Sequence, residues 1–138
     1  MISQPISECV SVGGQPQLAD LEQLKSEGVA TVVNLRVSGE NTPLTPAAEG
    51  ALVEKLGLSY HHLPVSLDKL NPAQVEELRE ILQKSQGRVF VHCGTGQRAC
   101  SLSLAASGVG ADSIQRAREL GFPVEDAKLR SFLESLRT

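Results

Sequence analysis

The segment His92-Cys93-Gly94-Thr95-Gly96-Gln97-Arg98 puts a thiol, two glycines and a guanidinium within seven positions. That set describes a nucleophile inside an anion cradle. A turn that leaves a strand and opens a helix aims several backbone N–H groups into one concavity, and the helix dipole adds partial positive charge there. An oxyanion or a thiolate is stabilised in such a place, so Cys93 is expected to supply thiolate at neutral pH. Gly94 and Gly96 are expected to take positive φ and let the backbone approach a ligand, with Thr95 and Gln97 completing the lining. Arg98 offers a planar, permanently charged fork to two oxygens of a tetrahedral anion. The competing account is a buried structural cysteine before a Gly-rich turn, with Arg98 solvated on the following helix.

The elements that must position this loop alternate between strand and helix patterns, which predicts an α/β fold: one three-layer domain with a mainly parallel sheet of about four strands flanked by helices. Strands are expected at Cys9–Val12, Thr31–Leu35, Ser59–Val65 and Arg88–His92. Leu18, Leu21 and Leu24 recur at helical spacing before a stop at Gly28. A polar loop through Gly39, Glu40 and Asn41 leads to Thr45-Pro46, an N-cap with proline at the first helical position, and that helix runs to about Gly57. Asn71-Pro72-Ala73-Gln74 carries a capping box, with Val75, Leu78, Ile81 and Leu82 on one helical face. Beyond Arg98 the pattern is helical, over Ala99 to about Ala106, Ala111 to Leu120 and about Val124 to Leu136, with a Gly-rich break at Ser107 to Gly110.

Open α/β sheets place their ligands at the C-terminal edge of the strands, and here that edge gathers Arg36, Asp68 and Cys93. Arg36 is a candidate second positive charge for the substrate, or else a salt-bridge partner of Glu40. His61 and His62 are neighbours on a strand, face opposite sides and cannot share one site, so both read as structural. His92 is expected to orient the loop through a hydrogen bond rather than act as a base. Cys100 is either a small core residue or a resolving thiol for Cys93. A zinc site built from Cys9, Cys93, Cys100 and a histidine lacks paired ligand spacing. The run Gly94-x-Gly96-x-x-Ala99 imitates a dinucleotide fingerprint, but a helical tail follows it where that fingerprint needs a further strand ending in an acidic residue.

Composition narrows the partners. A 138-residue chain with 41% hydrophobic content suits one domain with an ordinary core. A net charge of -3 and a pI near 5.6 give no general attraction to nucleic acid or an anionic membrane, so any anion site is local. The N-terminus lacks a signal-peptide pattern, and three scattered cysteines fit free thiols in a reducing compartment, so the expectation is a soluble cytoplasmic protein.

Gly14-Gln15-Pro16, Asn34-Leu35-Arg36 with Gly39-Glu40, Leu63-Pro64-Val65, the His92 to Arg98 loop and Leu120-Gly121-Phe122, in this order, give the chain a resemblance to a bacterial family. The chain resembles the phosphatase-like family of beta-lactamase hydrolase-like proteins, a branch related to dual-specificity cysteine phosphatases, over nearly its whole length. The resemblance implies a dual-specificity-phosphatase-like α/β domain in which Cys93 is the nucleophile and Arg98 holds the anion, with members labelled phosphatase or sulfur transferase. Two departures bear on the chemistry. Cys93 and Arg98 have four residues between them, one fewer than in the related phosphatases and the length common in rhodanese-type sulfurtransferases. Ala99 replaces the Ser or Thr whose hydroxyl helps the thiolate leave, and the nearest hydroxyl is Ser101.

A phosphatase also needs an acid for the leaving oxygen, and the loop after Leu63-Pro64-Val65 offers Asp68, which otherwise is a solvated loop residue. Three functional expectations follow. The first is a cysteine-dependent hydrolase of a phosphomonoester using Cys93, Arg98 and Asp68. The second is a sulfurtransferase or persulfide carrier through Cys93, and the third a non-catalytic anion- or partner-binding module. The expected ligand is a small anion, either a phosphate ester or a sulfane-sulfur donor. None of these readings calls for a cofactor, a metal, nucleic acid or a membrane.

Overall fold

Alternation of side chains along each strand sorts the chain into its layers. In the computed structural model, which describes residues 3–37, 44–109 and 112–136, the strands are β1 (Ser3–Pro5), β2 (Val10–Gly13), β3 (Val29–Asn34), β4 (Ser59–His62) and β5 (Arg88–His92). They pair in the order β1-β2-β5-β3-β4, with β2, β5, β3 and β4 parallel and β1 antiparallel to β2. The helices are α1 (Leu18–Ser26), α2 (Pro46–Lys55), α3 (Pro72–Lys84), α4 (Gln97–Ala106), α5 (Ser113–Glu119) and α6 (Ala127–Ser135).

Phe90 and Val32 point to one face and pack with Leu21 and Leu24 of α1 and Val53 of α2. Val89, Val91 and Val33 point to the other face and pack with Val75 and Leu78 of α3, Leu102 and Leu104 of α4, Ala117 of α5, and Leu129 and Leu133 of α6. The sheet therefore lies between two helical layers. This is a single α/β domain, as the alternating pattern predicts.

The sheet departs from expectation at both edges. It has five strands among the described residues rather than about four, because Ser3–Pro5 pairs along β2. That strand is exposed and carries a proline, so it has neither the apolar alternation nor the full donor set that marks a strand in sequence. At the opposite edge β4 ends at His62 rather than Val65. Its pairing to β3 continues through the amides of Leu63 and Val65, which donate to the carbonyls of Asn34 and Leu35 at 2.9 Å each, but Pro64 has no N–H to offer.

Helix starts follow their sequence signals. Thr45 Oγ1 accepts from Ala48 N at 3.2 Å, and Asn71 and Gln74 form the reciprocal capping box. The helix expected from Ala111 begins at Ser113, and the one expected from about Val124 begins at Ala127 behind the Asp126 cap. Gly39, Glu40 and Asn41, and also Gly110 and Ala111, lie outside the described residues. Among the described residues no helix is long and apolar enough to cross a membrane.

Candidate active site

Cys93 follows β5 directly, and its amide donates to Gly13 O at 3.3 Å, continuing the ladder to β2. The chain then turns through Gly94 and Thr95 to Gly96, which is the N-cap of α4 with φ of 103°. Of the two loop glycines only Gly96 takes positive φ; Gly94 does not, which corrects the expectation for that residue. Gly94 instead sits against Gly14, where a Cβ would lie 3.0 Å from Gly94 O, and Gly94 O accepts from Gln15 N at 3.3 Å. The turn at Gly96 brings two helix-start amides onto the sulfur. Gly96 N lies 3.1 Å and Ala99 N 3.5 Å from Cys93 Sγ, so the thiol sits where an anionic sulfur gains two charge-assisted hydrogen bonds and the positive end of α4. The residue is 1% exposed. Only a group that enters the loop can meet it.

Strand alternation sends His92 to the opposite face from Cys93. There its Nε2 lies 2.5 Å from Glu49 Oε2, and the other oxygen, Glu49 Oε1, accepts from Gln15 Nε2 at 2.7 Å. His92 and Glu49 are both fully buried, and the imidazole stacks on Phe90 with ring centroids 5.8 Å apart. His92 thus anchors the loop from behind, as its expected role requires, and the carboxylate that holds it comes from α2. Sequence reasoning did not single out Glu49. The available signal was alternation, since His92 shares the face of Phe90, which α1 and α2 cover.

Arg36 follows the same alternation and joins that buried face rather than the mouth of the cradle. It is fully buried, and its Nη2 donates to Leu44 O at 2.6 Å. Its alternative partner, Glu40, lies outside the described residues. Around it, Asn34 Oδ1 accepts from Arg36 N at 2.9 Å, Asn34 Nδ2 donates to Tyr60 Oη at 3.0 Å, and the Tyr60 hydroxyl donates to Pro46 O at 3.0 Å. Burial pushes the Tyr60 hydroxyl up to about 12. His62 Nε2 meets Arg36 O at 2.6 Å while His61 is exposed, which separates the two histidines as expected.

Arg98 lies in the first turn of α4, with Nη1 donating to Val65 O at 3.0 Å. In front of it opens a hollow of about 440 Å³ lined by Val37, Ser66, Leu67, Thr95, Gln97, Arg98, Asp126 and Leu129. Thr95 is exposed at its rim. Gln97 faces the same hollow, but its amide is engaged with Glu125: Nε2 donates to Oε1 at 3.1 Å, and Oε1 accepts from Glu125 N at 3.5 Å. Asp68 is not a lining residue. It stands in a neighbouring hollow, paired with Lys128, whose hydrogen bond and charge hold the carboxyl below its ordinary range. Cys100 is fully buried, and burial first, then the neighbouring Cys93, push its thiol up to about 12. The Ser101 hydroxyl donates to Gln97 O at 2.7 Å within α4. Cys9 is exposed and set apart from the buried Cys93 and Cys100.

Residues 4–111 match the model of the family described as beta-lactamase hydrolase-like protein, phosphatase-like domain. The chain belongs to that family. The beta-lactamase hydrolase-like protein of Agrobacterium fabrum is 31% identical over 102 residues, a stretch that makes up 70% of this chain and 23% of the relative. The chain therefore spans about a quarter of that relative's length. A candidate phosphatase from Neisseria meningitidis has a similar structure, with a TM-score of 0.79, 27% identity and 96% of each chain covered. The phosphatase-like domain also shares its fold with Pseudomonas aeruginosa TpbA, crystallised in complex with phosphotyrosine, at a TM-score of 0.74 and 18% identity over 94% of this chain and 81% of that one. Family and fold together support a phosphatase-type function.

Proposed function

We propose that this domain hydrolyses a small phosphate monoester through a Cys93 thiolate. The observation that carries the reading is the pair of amides, Gly96 N and Ala99 N, on Cys93 Sγ, with Arg98 at the mouth of the same loop. Cys93 Sγ attacks phosphorus, the P–S bond forms, and the P–O bond breaks with its electron pair on the leaving oxygen. Water then attacks the phosphocysteine, the P–S pair returns to sulfur, and inorganic phosphate departs. Arg98 and the loop amides face the equatorial oxygens, whose charge must be stabilised in both steps. One neighbour in fold holds phosphotyrosine, which supports a phosphate ester as the ligand class. A thiolate nucleophile suits a reducing compartment.

A second reading has its own support. Ala99 gives Cys93 no adjacent hydroxyl and the Ser101 hydroxyl is taken by Gln97 O. A persulfide carrier needs neither that hydroxyl nor an acid. The deciding experiment assays p-nitrophenyl phosphate hydrolysis beside thiosulfate-to-cyanide sulfur transfer, each with Cys93→Ser as control. Cys93-dependent phosphate release without sulfur transfer is the expected result. Sulfur transfer alone would replace the phosphatase reading with the carrier reading.

A further inference from the structure

The second half of the reaction needs a water held in line with the P–S bond and a group to take its proton. That water must come from the side the leaving group vacates, and Thr95, Gln97 and Arg98 of the nucleophile loop and the start of α4 line one hollow. Among the described residues, the lining of that hollow includes one cation, Arg98, and one acidic residue, Asp126. Asp68, the acid expected from sequence, belongs to a different hollow and to Lys128.

Two contacts fix the segment bearing Asp126 to the nucleophile loop. The Gln97 side chain bonds the side chain and the backbone of Glu125. Phe122 packs on Gly96 so closely that a Cβ there would lie 2.3 Å from Phe122 Cε1. Asp126 itself is held by its capping bond, with Oδ1 accepting from Leu129 N at 2.9 Å at the start of α6. That bond uses one carboxylate oxygen, and a carboxylate has a second to offer. An aspartate carboxylate accepts hydrogen bonds, which suits the step that removes a proton.

We infer that Asp126 is the general base for hydrolysis of the phosphocysteine. The inference rests on the phosphatase reading given above. The water oxygen bonds to phosphorus, its proton passes to the Asp126 carboxylate, and the P–S electron pair returns to Cys93.

Asp126→Asn and Asp126→Ser both keep a residue that caps helices, so they remove the carboxylate while leaving α6 its start. With p-nitrophenyl phosphate under stopped flow, both variants are expected to release about one equivalent of p-nitrophenolate at the native rate. Steady turnover should then be about 100-fold slower than native, with phosphorylated Cys93 accumulating in quenched samples. Turnover within about twofold of native, or a burst slowed in parallel with turnover, would overturn the assignment. Slowing by Asp68→Asn with Asp126→Asn unaffected would do the same. If the native chain shows no Cys93-dependent release, the phosphatase reading fails as well. A native burst with unaltered variants sinks only the role of Asp126.

Discussion

Glu49→Ala removes the carboxylate partner of the buried His92 Nε2 and of the part-buried Gln15 Nε2. The His92–Glu49 contact is 2.5 Å with neither side chain exposed, so solvent cannot replace the lost oxygen. Breaking a buried pair from one side typically costs 3–5 kcal/mol, about what this site should lose. For 138 residues the unfolding entropy is about 0.3 kcal/mol per kelvin, so the melting temperature should fall by roughly 10–17 °C. Glu49→Gln keeps the shape and one acceptor oxygen, so one of the two bonds survives in weaker form while the other is lost to the amide nitrogen, about 1–3 kcal/mol, or roughly 3–10 °C. Thermal unfolding followed by circular dichroism reads both, and urea midpoints at 25 °C check the free energies. A Glu49→Ala chain within about 1 kcal/mol of native, or a Glu49→Gln chain less stable than Glu49→Ala, would refute the view that this carboxylate anchors the nucleophile strand.

Gly96→Ala meets both a φ of 103° and the Phe122 ring; it should destabilise the domain by about 2 kcal/mol or more and abolish Cys93-dependent activity, and a native melting temperature would refute the account of the turn. Arg98→Lys keeps the charge and loses the fork, so kcat/KM on p-nitrophenyl phosphate should fall about 100-fold, and a change within twofold would rule out a two-oxygen grip. Folding holds protons on Cys100 and Tyr60, each pushed up to about 12 from ordinary values of 9.0 and 10.0. Above pH 9 the unfolded chain therefore binds fewer protons than the native one. Their stabilisation is complete below pH 9 and is lost as pH rises toward 12. Urea midpoints should decline over that window, and Cys100→Ala should remove the part that begins near pH 9.

Much of the framework is legible in the sequence because local signals and final contacts agree. Arg88–His92 is recovered residue for residue, since a Val-Phe-Val run serves two cores at once. Asn71 and Gln74 satisfy each other within one turn, so the start of α3 needs nothing from the rest of the chain. The cradle is legible for the same reason: Cys93, Gly96 and Ala99 meet within seven residues.

What stayed hidden depends on distant partners. Glu49 lies in a helix whose sequence shows little sidedness, and its burial is decided by His92, 43 positions later. Arg36 follows a strand at the ligand edge, yet it is fully buried, with Leu44, eight positions on, as a partner that no local pattern announces. Asp68 pairs on the surface with Lys128, 60 positions on, which no local pattern announces. Asp126 carries a capping signal that accounts for it fully in sequence; only the docking of Glu125 and Phe122 on the loop shows that it also faces the hollow.

Cys93 and His92 are adjacent in sequence yet belong to different layers, and this separates what the site can change from what it must keep. The residues lining the hollow at Arg98 include Val37, Thr95 of the loop, Gln97 and Arg98 of α4, Ser66 and Leu67 of the β4–α3 connection and Leu129 of α6, whereas those that hold the strand beneath come from α2 and the Gln15 turn. A lineage, or an engineer, can therefore exchange Ser66 or Leu67 to recognise another anion without touching the His92, Glu49 and Gln15 contacts beneath the thiol. Diversification of specificity is expected on one side of the sheet, and intolerance to change on the other.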